Sequence, residues 1–502
     1  MTMSPTCALV FDLGGSGLRA ALVDAAGTFV ARHAIALPAQ PAGGTAECDP
    51  ERWWQALGAA GEVLAAAAPA AFAATGAIAI SAMTRCNVFV DAGGASLRDA
   101  ILWTDTRAAA DAAALAARAP DHPEATHLNA FHPLARLAWL ARAEPARARR
   151  LVHVLDPKDF LNLRLTGRAA SDRVSMARLA AAARPGPDGQ NLFAAAGVDP
   201  APLPDLLPPL SLLGPVRPGL EGALGRLAGT QVVAMAHDTW ASVLGLGALR
   251  PGHGYNLAGT TEVLGVVAAE AAEAEGLLRV DWSGGMVQSG GPSLTGGDTL
   301  AWIAGILGGP WTGSGDADPG AALDRLLGKP RAGAAPLLFL PYLRGERTPH
   351  WDPDLRGAWI GLGRAHEAAD LARAALEGVA FLNRIVLERA ERATRGPIAE
   401  LRFGGGGAVN STWCRIKADV IGRPVVTTAC PDHGLLGAAL AAFVATGVLP
   451  DLATAQSRLI APARRFDPDP SMRDRYDRLF ALFHDAHAAL APVSRALARW
   501  AP

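Results

Sequence analysis

Little in this chain points to an oxidising compartment, a membrane or a charged polymer. Its cysteines, Cys7, Cys48, Cys86, Cys414 and Cys430, are isolated and form no C-x-x-C pair. They suit a reducing cytosol, where such thiols serve as small buried hydrophobes, so the expected location is cytoplasmic. There is no basic excess: 46 Lys and Arg against 47 Asp and Glu leave a formal charge of −1, which argues against a nucleic-acid partner. Lysine is scarce while Ala and Arg dominate, a bias of coding more than of function. No apolar run is long enough for a membrane span. The Ala-rich stretch around Leu64–Ala74 is short and interrupted, and reads as an amphipathic surface helix. Met1 to Val10 lacks the basic segment and apolar core of a signal peptide.

Several catalytic signatures are also missing. No G-x-S-x-G elbow supports a serine hydrolase. The segment with Gly328-Lys329 lacks the upstream Gly and the following Ser or Thr of a Walker A loop, so any phosphate is held without a P-loop lysine. Val409 stands where the dinucleotide fingerprint beginning Gly404-x-Gly406 needs its third glycine, which disfavours a nicotinamide dehydrogenase.

What is present is a globular composition, half apolar over 502 residues, enough for at least two domains. Cys7–Phe11, a Gly-rich turn and Leu18–Val23 read as strand, tight turn, strand, with a third strand over Thr28–Leu37. Glu51 to Ala68 has helical spacing of Trp53, Trp54, Leu57 and Leu64. Ala77–Ile80 and Val88–Val90 read as buried strands. The middle, Arg107 to Leu227, is expected to be mostly helical with Pro-rich breaks. Near Gly245–Pro251 the pattern restarts, and Gly254–Gly265 echoes the first turn. The expectation is an α/β chain of two related halves, 1–248 and 249–502, ending in a helical tail over Ser471–Trp500. His484, Asp485 and His487 fall on the polar face of that tail, where a solvated surface is the plainer reading than a metal site.

Asp238 is the acid of greatest interest, lying between a short apolar run and a small-residue helical run. Its plain role is a helix N-cap; its chemical role is a carboxylate at a strand-to-helix junction, where α/β folds place ligand sites. Three turns could hold phosphates: Asp12–Gly17, Leu257–Thr261 and Phe403–Ala408. Glycines let successive amides approach an anion, and Asp12 could hold Mg²⁺ through water. The alternative for the first turn is an ordinary β-hairpin. The Gly404–Gly407 run precedes a helix starting near Ser411, an arrangement suited to anion binding. One acid among several phosphate cradles suggests phosphoryl transfer to a hydroxyl.

With these segments placed, the chain resembles the FGGY carbohydrate kinases, particularly their xylulokinase branch, over nearly its whole length. The matching segments are Phe11–Ser16, Ala100–Arg107, Leu155–Leu161, Leu340–Pro349 and Ala375–Val379, with Gly357–Leu362 and Asp370–Glu377 fitting the second family signature. The first signature is looser, because Arg136 stands where the pattern expects Lys. The resemblance implies an actin-like fold of two duplicated ribonuclease-H-like domains with ATP and sugar in the interdomain cleft. It implies ATP and Mg²⁺ as cofactors, a small-molecule sugar as partner and homodimerisation as an option. Asp238 resembles the family's general base and Asp12 its Mg²⁺-associated acid. Gly14, Gly15 and Ser16 match the first phosphate loop, and Gly259, Thr260 and Thr261 the second. Gly297, Gly406, Gly407 and Asn410 match the adenosine side.

Departures concern the substrate. Met83-Thr84-Arg85-Cys86 replaces the usual Gln-Met-His-Gly, and Thr239 follows Asp238 in place of Asn. Thr84, Arg85, Trp103 and Thr239, beside Asp238 itself, are therefore the sugar-pocket candidates, Arg85 also being open to a plain surface role. The acceptor is expected to be a ketopentose such as xylulose, with a polyol or sugar acid as alternatives. Gly15 replaces the family's usual Thr, which keeps a non-catalytic sugar- or ATP-binding regulator in view.

Overall fold

The computed structural model describes residues 7–38, 45–198, 201–307, 327, 336–430 and 432–500. Met1–Thr6, Pro200 and Gly328-Lys329 lie outside the described residues. The chain divides into two compact units: Met1–Gly245 with Gly434–Leu459, and Leu246–His433 with Ile460–Pro502.

In the first unit, β1 (Cys7–Gly14) is buried along its length except for the final glycine. Both of its faces are covered, so its apolar run is continuous and not alternating. It pairs antiparallel with β2 (Gly17–Asp24), which pairs with β3 (Phe29–Ala36). β3 is the edge strand and alternates half-buried with exposed residues. On its other side β1 runs parallel to β4 (Thr75–Ala82). With β5 (Leu212–Pro215) and β6 (Gln231–Val233), the sheet order is β5-β6-β4-β1-β2-β3, β6 being parallel to β4. The helix Pro50–Ala67 starts at Asp49, whose carboxylate accepts the Glu51 amide at 3.0 Å, with Pro50 in the first turn. Trp53, Leu57 and Leu64 lie on one face and join Leu9, Phe11, Ile78 and Ile80 in the core.

The stretch from Arg107 to Leu227 corrects the expectation of a mostly helical middle. It holds short helices such as Ala109–Arg118, Pro133–Ala143 and Pro157–Thr166, and short strands among them. One of these, β5, belongs to the main sheet and ends on Pro215, which is tolerated because β5 is an edge.

The second unit repeats the plan. β7 (His253–Ala258) and β8 (Glu262–Ala268) form an antiparallel pair. β9 (Leu278–Asp281) and β10 (Val287–Ser293) extend it past β8. β11 (Leu401–Gly404) and β12 (Val425–Thr428) lie parallel on the other side of β7, closed by β13 (Pro462–Phe466). The order is β9-β10-β8-β7-β11-β12-β13. Set side by side, β3-β2-β1-β4-β6 and β10-β8-β7-β11-β12 share one topology: three antiparallel strands, then two parallel ones. This is the duplicated ribonuclease-H-like fold expected from the sequence. The helix Ala368–Ala393, opened by a capping box between Glu367 and Asp370, buries Leu376, Val379 and Phe381 against β-sheet residues such as Leu264 and Phe403. Among the described residues no helix is long and apolar enough to cross a membrane.

Candidate functional site

In the first unit β1, β4 and β6 are the parallel strands, and every candidate residue except Trp103 lies at or beyond their C-terminal ends. Asp12 and the glycine turn finish β1, Met83–Cys86 follows β4, and His237-Asp238 follows β6. Parallel strands direct their C-terminal loops to one edge of a sheet, the usual ligand edge in α/β folds.

Gly14 pairs with Gly17 across the β1–β2 turn, so Gly15 and Ser16 are its tip and the plain hairpin geometry is present. A Cβ on Gly17 would stand 2.7 Å from the Ile35 carbonyl oxygen, so β3 packs too closely for any side chain there. The Ser16 carbonyl accepts the Leu37 amide at 3.0 Å, fixing the turn. Asp12 is buried, opposite Arg19 on β2 and Ser81 on β4. Ser81 Oγ donates to Asp12 Oδ1 at 2.9 Å, and the half-exposed Arg19 guanidinium pairs with Oδ2. A Cβ on Gly434, in the first turn of the helix His433–Ala445, would lie 2.8 Å from Oδ2. Glycine there lets a helix N-terminus, a favourable environment for negative charge, come up to this carboxylate. Arg19 is a site residue absent from the sequence candidates, although a two-residue hairpin places it directly across from Asp12.

Asp238 is the first residue of the helix Asp238–Gly245, but it is not the cap. His237 fills that role: its Nδ1 accepts the Trp240 amide at 3.4 Å and its carbonyl accepts the Ala241 amide at 3.1 Å. With Nδ1 accepting, the neutral ring carries its proton on Nε2. Burial pushes the His237 pKa down to about 4, with Lys158 and Arg85 reinforcing and Asp172 opposing. Capping thus falls to His237, and only one oxygen of the Asp238 carboxylate is engaged. Its Oδ1 accepts the Thr239 amide at 2.6 Å and the Thr239 hydroxyl at 3.3 Å, while no bond among the described residues goes to Oδ2. Burial, and then the nearby charge of Asp12, raise its pKa to about 6, partly offset by Thr239 and Arg19. The side chain is still 42% accessible. Burial by the surrounding protein keeps the direction upward, and this accessibility makes its energetic weight moderate.

Thr84 is half-buried, and its hydroxyl donates to Asp156 Oδ2 at 3.0 Å. A sugar could meet only its acceptor lone pairs or its methyl. Asp156 is buried and its pKa is raised to about 8 by burial and by Asp159, against the pull of Lys158 and the Thr84 bond. Arg85 is exposed and holds φ +60°, a left-handed conformation that is unfavourable for a residue carrying a long side chain. Trp103 is 38% exposed on the turn after Leu102. The carbonyl of Arg85 and that of Leu102 both accept from the buried guanidinium of Arg136.

In the second unit, Gly259, Thr260 and Thr261 are the exposed turn between β7 and β8. The helix Gly297–Leu307 docks on this turn: the Gly297 amide donates to the Gly259 carbonyl and the Asp298 amide to that of Thr260, both at 3.0 Å. A Cβ on Gly297 would lie 2.5 Å from the Gly259 oxygen. Gly297 therefore shapes the turn through close approach. Beyond β11, Gly405 takes φ +89° beneath the Ala258 carbonyl, and Gly406–Val409 is a 3-10 turn. A Cβ on Gly407 would strike the Trp413 ring at 2.2 Å, whereas Gly406 is exposed with nothing near its Cβ position. Asn410 caps the helix Ser411–Ile421 by accepting the Trp413 amide at 2.8 Å. Under these turns, fully buried Lys417 donates to Asn256 Oδ1 at 2.9 Å and Glu262 Oε1 at 2.8 Å, and also bonds Asn383. Glu262 directly follows Thr261, so this network anchors the turn. The tail histidine His487 stacks on His350 at 4.0 Å between ring centres, and is thus packed where the sequence suggested a solvated face. Among the described residues no group of three or more His, Cys, Asp or Glu could hold a metal.

Twice-repeated ribonuclease-H-like sheets, each with small-residue turns at the ends of parallel strands, define an actin-like phosphotransferase fold. The N-terminal domain model of the FGGY family of carbohydrate kinases matches residues 7–245, and its C-terminal domain model matches 254–446. The chain belongs to that family, and is a phosphotransferase with an alcohol acceptor. It is 30% identical to the xylulose kinase of Escherichia coli over 93% of this chain and 97% of that one. It is 26% identical to a gluconokinase of Bacillus licheniformis over 82% of each. The crystal structure of xylulose kinase from Rhodospirillum rubrum superposes with a TM-score of 0.85 at 28% identity, covering 97% of this chain and 99% of that one.

Proposed function

We propose that this kinase transfers the γ-phosphate of ATP to a hydroxyl of a small sugar, first among them a ketopentose such as xylulose, with Asp238 as general base. The observation that carries the reading is the state of Asp238. His237 relieves it of capping, Oδ2 is left to accept a proton, and its pKa of about 6 suits a base working near neutral pH. Phosphoryl transfer through a loose transition state needs positioning and charge stabilisation more than strong basicity. Residues 1–248 would carry the sugar candidates and the base, and 249–502 the nucleotide turns. Relatives named xylulose kinase favour the ketopentose.

Asp12 fits a hydrated Mg²⁺ brought with the nucleotide, as a hard oxygen donor already flanked by a second carboxylate, Asp238, whose pKa its charge raises. When bound, that ion would neutralise phosphate charge; Arg19 and Ser81 hold the Asp12 oxygens in place meanwhile. Gly14, Gly15 and Ser16 would face phosphate in the first unit, and Gly259, Thr260 and Thr261 in the second.

A second reading has its own support. Arg85 is an exposed cation beside this edge, and an arginine can pair a carboxylate in a forked geometry. A sugar acid, as in the gluconokinase relatives, would use that charge. An ADP-release assay with ketoses, polyols and aldonates decides among them. Xylulose turning over with the highest kcat/KM is expected; turnover of gluconate alone transfers the assignment to the acid, and binding without ADP release points to a regulator.

A further inference from the structure

Resting on the sugar-kinase reading, we propose that Arg136 is a positioning residue. It sets the separation of the Thr84–Arg85 loop from the Trp103 loop, and so governs which sugar is accepted. Arg136 lies on the helix Pro133–Ala143 and is fully buried. One end of its planar fork, Nη1, bonds the Arg85 carbonyl and Asn87 Oδ1, the latter at 3.2 Å. The other, Nη2, bonds the Leu102 carbonyl at 2.8 Å and the Asp105 carbonyl at 3.3 Å.

The stems of the two loops are joined just before they diverge. The Asn87 amide donates to the Ile101 carbonyl at 2.8 Å and the Ile101 amide to that of Asn87 at 3.1 Å. Arg136 spans the fork beyond that junction and ties a loop holding Thr84 and Arg85 to one holding Trp103. Its four bonded acceptors are neutral oxygens, not carboxylates. The neighbouring Asp105 carboxylate is engaged by the Ala46 amide at 2.6 Å and by Arg107. A buried cation bonded to loop carbonyls in this way fixes geometry, because a guanidinium presents its donors at set spacing. Burial lowers its pKa only to about 10, so the charge persists at neutral pH. The positive φ of Arg85 adjoins the carbonyl that Arg136 holds, which is where an unfavourable backbone needs external support. A lysine has a single nitrogen and cannot reach both loops with the same spacing.

The test uses the full-length chain with Arg136→Lys and Asn87→Ala, assayed with xylulose, glycerol and gluconate. In Arg136→Lys the KM for the preferred sugar should rise about tenfold, with kcat within about threefold and the ATP KM within about twofold. The preference among the three acceptors should change by about fivefold or more. Asn87→Ala removes one acceptor without stranding the charge, and should shift the same parameters in the same direction by about threefold. It decides the question if Arg136→Lys does not fold. Unchanged sugar KM and preference overturn the inference, as does a loss confined to kcat and equal for every acceptor. If the unaltered chain phosphorylates none of the three, the proposed acceptor on which this inference rests falls, a result distinct from either of these.

Discussion

Replacing Asp238 with Asn removes one charge and keeps the shape. Asn Oδ1 can still accept the Thr239 amide, which lies at 2.6 Å from the present oxygen, so the helix start should be undisturbed. Turnover should fall by about 10²- to 10⁴-fold, the range a positioned general base supplies, which is about 3–5 kcal/mol of barrier. ATP binding should be nearly unchanged. Stability should move the other way. The folded pKa of about 6 lies above the ordinary aspartate value of 3.8, so the folded chain holds this proton more tightly than the unfolded one. Between those values ionisation progressively favours unfolding, and above about 6 the full cost is present. Two pKa units would be about 3 kcal/mol for a group sealed from water, but a side chain 42% accessible is screened, and about 1 kcal/mol is the reasonable figure. The Asn variant should therefore be more stable by that amount at pH 7.5, and equal to the parent below about pH 3, where the aspartate is neutral in both the folded and the unfolded chain. The parent's log kcat/KM should fall with unit slope below about pH 6, and the variant's residual rate should lack that limb. Near-normal turnover would refute the general-base role; a variant less stable at pH 7.5 would refute the account of the raised pKa.

Other substitutions separate the neighbours from the base. His237→Asn keeps a capping acceptor, and since His237 titrates near 4, the acid limb near 6 should stay in place; a limb displaced by a full unit would assign it to the histidine. Lys417→Met strands Glu262 without its cation in the core and should lower stability by about 3–5 kcal/mol. Adding Glu262→Gln should recover most of that in denaturant titrations, and a double variant no better than the single one contradicts the pairing. Gly297→Ala drives a methyl toward the Gly259 oxygen, and should raise the ATP KM about tenfold while the sugar KM stays within about twofold. Gly406→Ala has open space at its Cβ, so a rise in ATP KM there as large as for Gly297→Ala would show that close approach is not the cause.

How much of this is legible in the sequence follows from the range of each interaction. The β1–turn–β2 hairpin is local: an apolar run, a Gly-rich break and a second apolar run leave few alternatives. The Asp12–Arg19 pair is equally local, but it emerges only from the cross-strand register, which a phosphate-loop reading of the turn does not use. The middle segment misleads because Ala favours helix, while its Pro and Gly breaks cut the helices short and free Leu212–Pro215 for the sheet. The cap at His237 is hidden by propensity, since Asp is the usual capping residue and stands one position later. Arg136 meets oxygens 51, 49, 34 and 31 residues away, beyond any periodicity argument.

Lysine shows the same division. The chain has three lysines, and the two described, Lys158 and Lys417, are buried. Lys158 lies 2.6 Å from Asp159 and 2.7 Å from Asp172, and Lys417 sits among Asn256, Glu262 and Asn383. A compact ammonium with three rotatable donors fits a small oxygen-lined space that a planar guanidinium would not. Coding bias accounts for the scarcity of lysine but not for its placement, since both described lysines lie beneath candidate loops: Lys158 near Asp156 and Thr84, Lys417 under the Gly259–Thr261 turn. A Lys158→Arg change should therefore disturb the Thr84 loop more than a charge-preserving substitution ordinarily would. A sugar KM unchanged in a folded Lys158→Arg variant would separate that ion-pair cluster from the loop above it.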